Sequence, residues 1–264
     1  MITYSIIYKS QLEGGKRLDA EYYQPEYLEI AKKLQSIPHE TLQDASEQLV
    51  SFGAYALTSV IEWQESGIPF ITAENIKDGF IDYDGVRYIS EKVDEVLKKS
   101  RVKEGQVLLA MSGSVGNAAV ADGIPKQLNS NQDIVKITPR AGVSPYVLAA
   151  FLNSKYGKKQ VLRLPVGSIQ QHIFLWQMQT LLIPIIQSKE TGIIEQLYKD
   201  GLREIERSHS LYSQAEQLLL EELGLEKFEE DGELWSVVRL SGIKAANRMD
   251  AEYFQPKYAT LLKQ

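Results

Sequence analysis

Hydrophobic positions along this chain fall into three patterns. The first is a set of short apolar runs at Pro69-Phe70-Ile71-Thr72, Gln106-Val107-Leu108-Leu109-Ala110-Met111, Ala118-Ala119-Val120-Ala121, Asp133-Ile134-Val135-Lys136-Ile137 and Leu181-Leu182-Ile183. Polar, glycine- or asparagine-bearing stretches lie between them, so each run predicts a strand. The second is a stripe of Ile194, Leu197, Tyr198, Leu202, Ile205, Tyr212, Ala215, Leu219 and Leu223, widened by Leu211 and Leu218, in a proline-free stretch from 187 to 223. Its helical spacing predicts one helix roughly 55 Å long, which Gly224 would stop. Glu195, Lys199, Arg203, Glu206, Arg207 and Glu221 lie off the stripe, so the helix reads as an arm that needs a partner, although Gly201 and Ser208 interrupt its seam. The third pattern marks shorter helices. Gln24-Pro25-Glu26 opens one that carries Tyr27, Ile30, Ala31 and Leu34 on one face, and Ser144-Pro145 opens another that buries Val147, Leu148, Phe151 and Leu152.

The predicted fold class is therefore mixed α/β with a long C-terminal helix that reads as a coiled-coil arm. The predicted order is a lead-in segment with a short helix over 1–37, an α/β unit over 38–186, a helical arm over 187–224 and a terminal segment over 225–264. That terminal segment repeats the lead-in. Arg17-Leu18-Asp19-Ala20-Glu21-Tyr22-Tyr23-Gln24-Pro25-Glu26-Tyr27 matches Arg248-Met249-Asp250-Ala251-Glu252-Tyr253-Phe254-Gln255-Pro256-Lys257-Tyr258 at eight of 11 positions, with a constant offset of 231. The correspondence extends back to Tyr4-Ser5-Ile6-Ile7 against Trp235-Ser236-Val237-Val238, and to Ser10 against Ser241. In each copy the Arg-x-Asp pairing is expected to be a structural ion-pair lock rather than a catalytic pair.

Composition narrows the chemistry. The 264 residues include no cysteine and three histidines, His39, His172 and His209, which excludes disulfides, thiolate zinc sites and cysteine nucleophiles. No uncharged run is long enough for a membrane span and no leader is predicted, so a cytoplasmic protein without membrane attachment is expected. No Walker motif, Gly-x-Ser-x-Gly elbow or His-Glu-x-x-His occurs, and no catalytic or metal-ligating residue is predicted.

The net charge of −6 is unevenly distributed. Residues 134–189 carry Lys136, Arg140, Lys155, Lys158, Lys159, Arg163 and Lys189 with no acid, whereas residues 190–233 carry 13 acids against four bases. A polyanion would meet a positive surface in the first window.

The loops between strands are rich in hydroxyls and amides, groups that meet base edges and phosphates. The residues expected to touch DNA are Ser51, Tyr55, Asn75, Lys77, Ser112, Ser114, Asn117, Asn129, Asn131, Gln132, Lys155, Lys158, Lys159, Arg163, Ser168, Gln170, Gln171 and His172. Those expected to carry dimerisation are Ile194, Leu197, Tyr198, Leu202, Ile205, Tyr212, Ala215, Leu219 and Leu223. Other readings stay open: Ser112-Gly113-Ser114-Val115-Gly116 is either a tight strand connection or a phosphate nest, and Asn129-Ser130-Asn131 can simply make Asx turns.

Several motifs resemble one family. The repeated Arg-Leu/Met-Asp-Ala-Glu-Tyr-Tyr/Phe-Gln-Pro lead-in, Gly67-Ile68-Pro69-Phe70-Ile71-Thr72-Ala73-Glu74-Asn75-Ile76, Leu108-Leu109-Ala110-Met111-Ser112-Gly113-Ser114-Val115-Gly116 and Asn131-Gln132-Asp133-Ile134 are similar to specificity subunits of type I restriction–modification systems. Pro145-Tyr146 with Phe151-Leu152-Asn153-Ser154, and Gly167-Ser168-Ile169-Gln170 followed by Leu182-Ile183-Pro184-Ile185, extend the resemblance in the same order. It implies a non-catalytic, prokaryotic subunit that binds double-stranded DNA. The family has two target-recognition domains and two long helices packed antiparallel. This chain carries one of each, so the resemblance implies a half-subunit whose long C-terminal helix forms an antiparallel coiled coil in a dimer that reads an inverted-repeat site. A methyltransferase subunit and, through it, a restriction and translocase subunit would be partners. S-adenosylmethionine, ATP and magnesium would belong to them, with no cofactor of this chain's own. The alternatives are a recognition module of another restriction class, a coiled-coil scaffold that binds protein, and a phosphate-directed hydrolase using Ser112–Asn117.

Overall fold

The computed structural model describes residues 4–10, 12, 17–51, 61–164, 173–225, 235–256 and 258. After the lead-in come α1 (Pro25–Gln35), β1 (His39–Thr41), β2 (Ser46–Val50), β3 (Ile68–Ile71), β4 (Arg87–Ile89) and α2 (Glu91–Val96). Then follow β5 (Val107–Ala110), β6 (Ala118–Val120), β7 (Asn129–Ser130), β8 (Ile134–Pro139), α3 (Pro145–Asn153), α4 (Lys155–Leu162), α5 (Leu175–Met178), β9 (Leu182–Pro184), the long α6 (Ser188–Leu223) and α7 (Leu240–Ala246). The fold is mixed α/β with a long helix near its C-terminus, in line with the sequence pattern. Two compact units emerge, Met1–Arg203 and Glu204–Gln264. The division falls within α6, because Tyr198 ties the start of that helix to the first unit: its hydroxyl donates to the Gly79 carbonyl at 2.6 Å, and its ring meets Tyr146 edge-on at 5.6 Å.

The central sheet runs β2-β8-β5-β6, all antiparallel. A second sheet, β4-β3-β7, pairs β3 with β4 antiparallel and with β7 parallel. The first and last strands of the α/β region close on each other, with His39 opposite Pro184 and Thr41 opposite Leu182. Every residue of β5 is buried, which explains its uninterrupted apolar run. Val107 and Leu109 face one core with α3 and α4, while Leu108 and Ala110 face another with Ile71, Ile76 and Leu128.

Local chemistry places the helices. Ser144 accepts a hydrogen bond from the Val147 amide and Ser154 from the Gly157 amide, capping α3 and α4. The two helices meet so tightly that a Cβ at Gly157 would stand 2.2 Å from the Phe151 carbonyl oxygen, so only glycine fits there. Gly224 ends α6 with φ of 67°, and the Leu225 amide returns to the Leu220 carbonyl at 2.8 Å, a Schellman-type stop. Among the described residues, no helix is long and apolar enough to cross a membrane.

Candidate nucleic-acid interface

The strand-connecting loops converge on one cleft. Its walls are the turn after β3 with Thr72, Glu74 and Asn75; the excursion to β4 with Lys77, Asp82 and Asp84; Arg87 at the start of β4; and Ser112, Gly113, Asn131 and Asp133 from the loops flanking β5 and β8. The cleft encloses about 570 Å³. Asn75, Lys77, Ser112 and Asn131, predicted as contacts from three separate stretches of sequence, thus line one cavity.

Hydrogen bonds fix its walls. The Asn75 side-chain oxygen accepts from the Thr72 amide at 2.9 Å, and its amide nitrogen donates to the Asp82 carbonyl at 3.0 Å. Asn131 accepts from the Asp133 amide at 3.2 Å, an Asx turn. Lys77 approaches Asp82 at 3.5 Å. The 112–117 loop is a hairpin connection: the Gly116 amide donates to the Ala110 carbonyl at 3.1 Å, and Gly113 and Gly116 take positive φ. That resolves the choice left open by sequence in favour of a strand turn, with Ser112 and Ser114 half-buried at its sides. Asn117 lies behind the turn, donating to the Ile76 carbonyl at 3.1 Å. Ser51 and Gln132 are half-buried. Tyr55, Ser168, Gln170, Gln171 and His172 lie outside the described residues.

Two expectations need correction. Asn129 is not on a surface. It is fully buried and donates to Asp94 at 2.8 Å and to the Leu97 carbonyl, while Asp94 pairs with Arg101 at 2.7 Å. A buried carboxylate has claimed this amide, as buried polar groups require.

The acid-free window is not a bare positive surface either. Lys158 pairs with Asp78 and Lys159 with Glu26, at 2.7 and 2.9 Å, and Arg140 pairs with Glu40 at 2.8 Å. Arg163 stacks on the Tyr22 ring at 3.9 Å and donates to the Tyr22 carbonyl at 2.7 Å. Lys136 is buried, with its ammonium 2.9 Å from the Ser130 hydroxyl, and that burial pushes it down to about 8. Acids absent from the window in sequence return to it in space. Lys155 and Lys189 remain exposed without an ion pair among the described residues. Lys158 and Lys159 thus carry partly exposed ion pairs and Arg163 is held by Tyr22, while Lys155 keeps its charge facing solvent.

The arm divides in the same way. Tyr198, expected in a dimer seam, packs on the first compact unit, where burial and neighbouring carboxylates push its hydroxyl up. Ile194, Leu202 and Ile205 are half-buried and Ala215 is exposed. Leu197, Tyr212, Leu219 and Leu223 are exposed at 66%, 75%, 58% and 59%.

Sequence reasoning missed Arg87 and Trp63. The Arg87 guanidinium lies 3.8 Å above the Trp63 ring, which meets Phe70 edge-on at 5.5 Å. Nothing in the spacing of these residues signals the stack, because the bridge of Gln64 to Tyr88 and the pairing of Phe70 with Arg87 create it.

No protein-family model matches the sequence, and no curated protein is significantly similar to it. Among solved structures, the chain is similar to one that describes complex assembly and conformational transition of the type I R-M system, at 16% identity and a TM-score of 0.46, covering 76% of this chain and 50% of that one. It is similar to the type I restriction–modification S subunit from M. genitalium at 16% identity and a TM-score of 0.46, covering 66% and 40%. It also shares a fold with the type IIG restriction endonuclease BpuSI, at 10% identity and a TM-score of 0.50, covering 73% and 30%. The chain thus spans half or less of the length of each.

Proposed function

We propose that this chain is the sequence-reading, non-catalytic specificity subunit of a type I restriction–modification assembly. The observation that carries the proposal is the convergence of Asn75, Lys77, Ser112 and Asn131 on one cleft, where the two asparagines brace the turns that present a hydroxyl and a cation, groups used in DNA readout. The ordered motifs around these residues support the same reading. The partners are double-stranded DNA, a methyltransferase subunit that supplies S-adenosylmethionine chemistry and, through it, a translocase that uses ATP and magnesium.

The reading includes a homodimer through α6. Its exposed apolar residues beyond Arg203, namely Leu211, Tyr212, Leu218, Leu219, Leu220 and Leu223, need cover. Antiparallel pairing is favoured by charge. All four cations of α6 (Lys189, Lys199, Arg203 and Arg207) precede Ser208, while Glu216, Glu221 and Glu222 follow it, so only that orientation sets cations against those acids. Two identical readers related by a twofold would bind an inverted repeat split by a fixed spacer.

The test is selection of binding sites by the full chain from a pool of random duplexes. The expected product is a split inverted repeat. Recovery of no preferred sequence, with binding that only tracks salt, would overturn sequence reading and favour a scaffold. A second reading, a recognition module serving another restriction class, rests on the fold shared with the type IIG endonuclease; it predicts an unsplit site.

A further inference from the structure

We infer that Arg87 reads a guanine in the cleft and that Trp63 is its positioning residue; the inference rests on the DNA-reading function proposed above. The other arginines of the described recognition region are engaged within the fold. Arg17 is held by Asp19, Arg101 by Asp94 and Glu95, Arg140 by Glu40, and Arg163 by the Tyr22 carbonyl. Arg87 is different: its side chain is exposed at the cleft, and it makes no hydrogen bond or ion pair among the described residues. What holds it is the flat face of Trp63 at 3.8 Å. Trp63 in turn rests on Phe70, which is 5% exposed and packs with Ile68, Ile89 and Leu97. The guanidinium plane is thus fixed from below by the core, while its N–H edges keep their donor capacity.

The cleft's own charge selects the partner. Glu74, Asp82, Asp84 and Asp133 share the walls with Arg87 and Lys77, and Lys77 is already paired with Asp82. A phosphate would meet net negative charge there. A guanine edge carries no formal charge to be repelled, and its N7 and O6 are acceptors placed for a bidentate arginine. The paired cytosine presents an amino donor that carboxylates accept. A G·C pair therefore fits this lining better than the backbone does.

The test repeats the selection with Arg87→Lys, Arg87→Ala and Trp63→Leu. Arg87→Lys keeps the charge but loses the fork, and the exposed position leaves the fold intact. The wild-type site should hold a guanine that both Arg87 variants cease to prefer, with discrimination at that position falling roughly 5- to 150-fold. The slope of affinity against salt should stay unchanged, and Trp63→Leu should weaken the same position by less. Retention of the guanine by both Arg87 variants would overturn the inference. So would a uniform loss across all sequences with the salt slope reduced by about one in Arg87→Ala, which marks a phosphate contact. If the wild-type chain selects no site at all, it is the DNA-reading proposal that fails, and this is seen without any variant.

Discussion

The two copies of the lead-in carry nearly one sequence into two environments. Their internal geometry is the same. Arg17 grips Asp19 through Nε and Nη2 at 2.7 and 2.6 Å, and Arg248 grips Asp250 through the same atoms at 2.8 and 2.7 Å. Each aspartate accepts an amide from three residues on, Tyr22 at 3.3 Å and Tyr253 at 3.2 Å. Each arginine lies over the ring of that tyrosine, at 4.8 and 4.7 Å, and each adjacent aromatic pair meets edge-on at 4.9 Å. The hydroxyls of Ser5 and Ser236 both donate 18 residues ahead, to the Tyr23 and Phe254 carbonyls. The lock is therefore written into the local sequence.

What differs is the seat. In the first copy Arg17 also donates to the Leu164 carbonyl at 2.8 Å, Arg163 covers Tyr22, and Tyr23 is 5% exposed. In the second, Arg248 is 55% exposed, Tyr253 is 43% exposed and Phe254 is only half-buried. The same motif is packed in one place and more exposed in the other, among the described residues. Local chemistry makes the shape, and the tertiary partner makes the stability.

The largest expected contrast is in the aromatic pair. Tyr23→Ala should destabilise the folded chain by about 3 kcal/mol, because it empties a buried site, while Phe254→Ala should cost under about 1 kcal/mol by denaturant titration. Equal losses would show that the second copy is seated after all.

Burial without a counter-ion gives the opposite sign. Lys136 is held down to about 8 by desolvation. Its folded value lies below the unfolded one, so the charged form opposes folding at pH 7 and stability should rise as pH climbs from about 8 towards 10.5. Lys136→Met should raise stability at pH 7 by about 2 kcal/mol and flatten that rise; a destabilised variant would mean that the ammonium is better solvated than its burial indicates.

Next in size are the arginines. Arg17→Ala should cost about 1.5–3 kcal/mol, since it removes a charged hydrogen-bond set and a long-range tie to Leu164. Arg248→Ala, matched in sequence, should cost less than about 0.5 kcal/mol in the unpartnered chain.

The smallest contrast is in acid. Asp19 and Asp250 are each held below the usual carboxylate range, chiefly by the hydrogen bond from their arginine. A carboxyl lowered in the folded state contributes stability above its unfolded value, near 4, and loses it as pH falls through the depressed one. Asp19→Asn should therefore reduce the slope of acid unfolding below pH 4, and Asp250→Asn should reduce it by less, since its ion pair is the more exposed of the two.

Much of the fold was legible because its signals were local. Helical spacing of apolar residues, a proline-free run and Gly224 define α6 to within one residue of its observed start at Ser188. Ser144-Pro145 marks α3, and the runs around Val107 and Ile134 mark the central strands. β2 was not legible, because Ser46-Glu47-Gln48 carries no apolar alternation and is made a strand by pairing with β8. α4 hides behind Gly157, a residue that disfavours helix and is required by close contact with α3. The candidate site was half legible. Turn residues such as Asn75, Ser112 and Asn131 announced the loops. Asn129 misled because Asp94 faces it from 35 residues away, and Lys158 and Lys159 because Asp78 and Glu26 return from earlier in the chain.

The central claim is that this chain tells a methyltransferase where to act. Its most direct test is base-resolution mapping of DNA methylation after the full chain is combined with the methyltransferase subunit proposed as its partner. The account predicts methylation confined to one split inverted repeat and absent when the chain is withheld. Methylation at scattered or unsplit sites, or the same pattern without the chain, would contradict it.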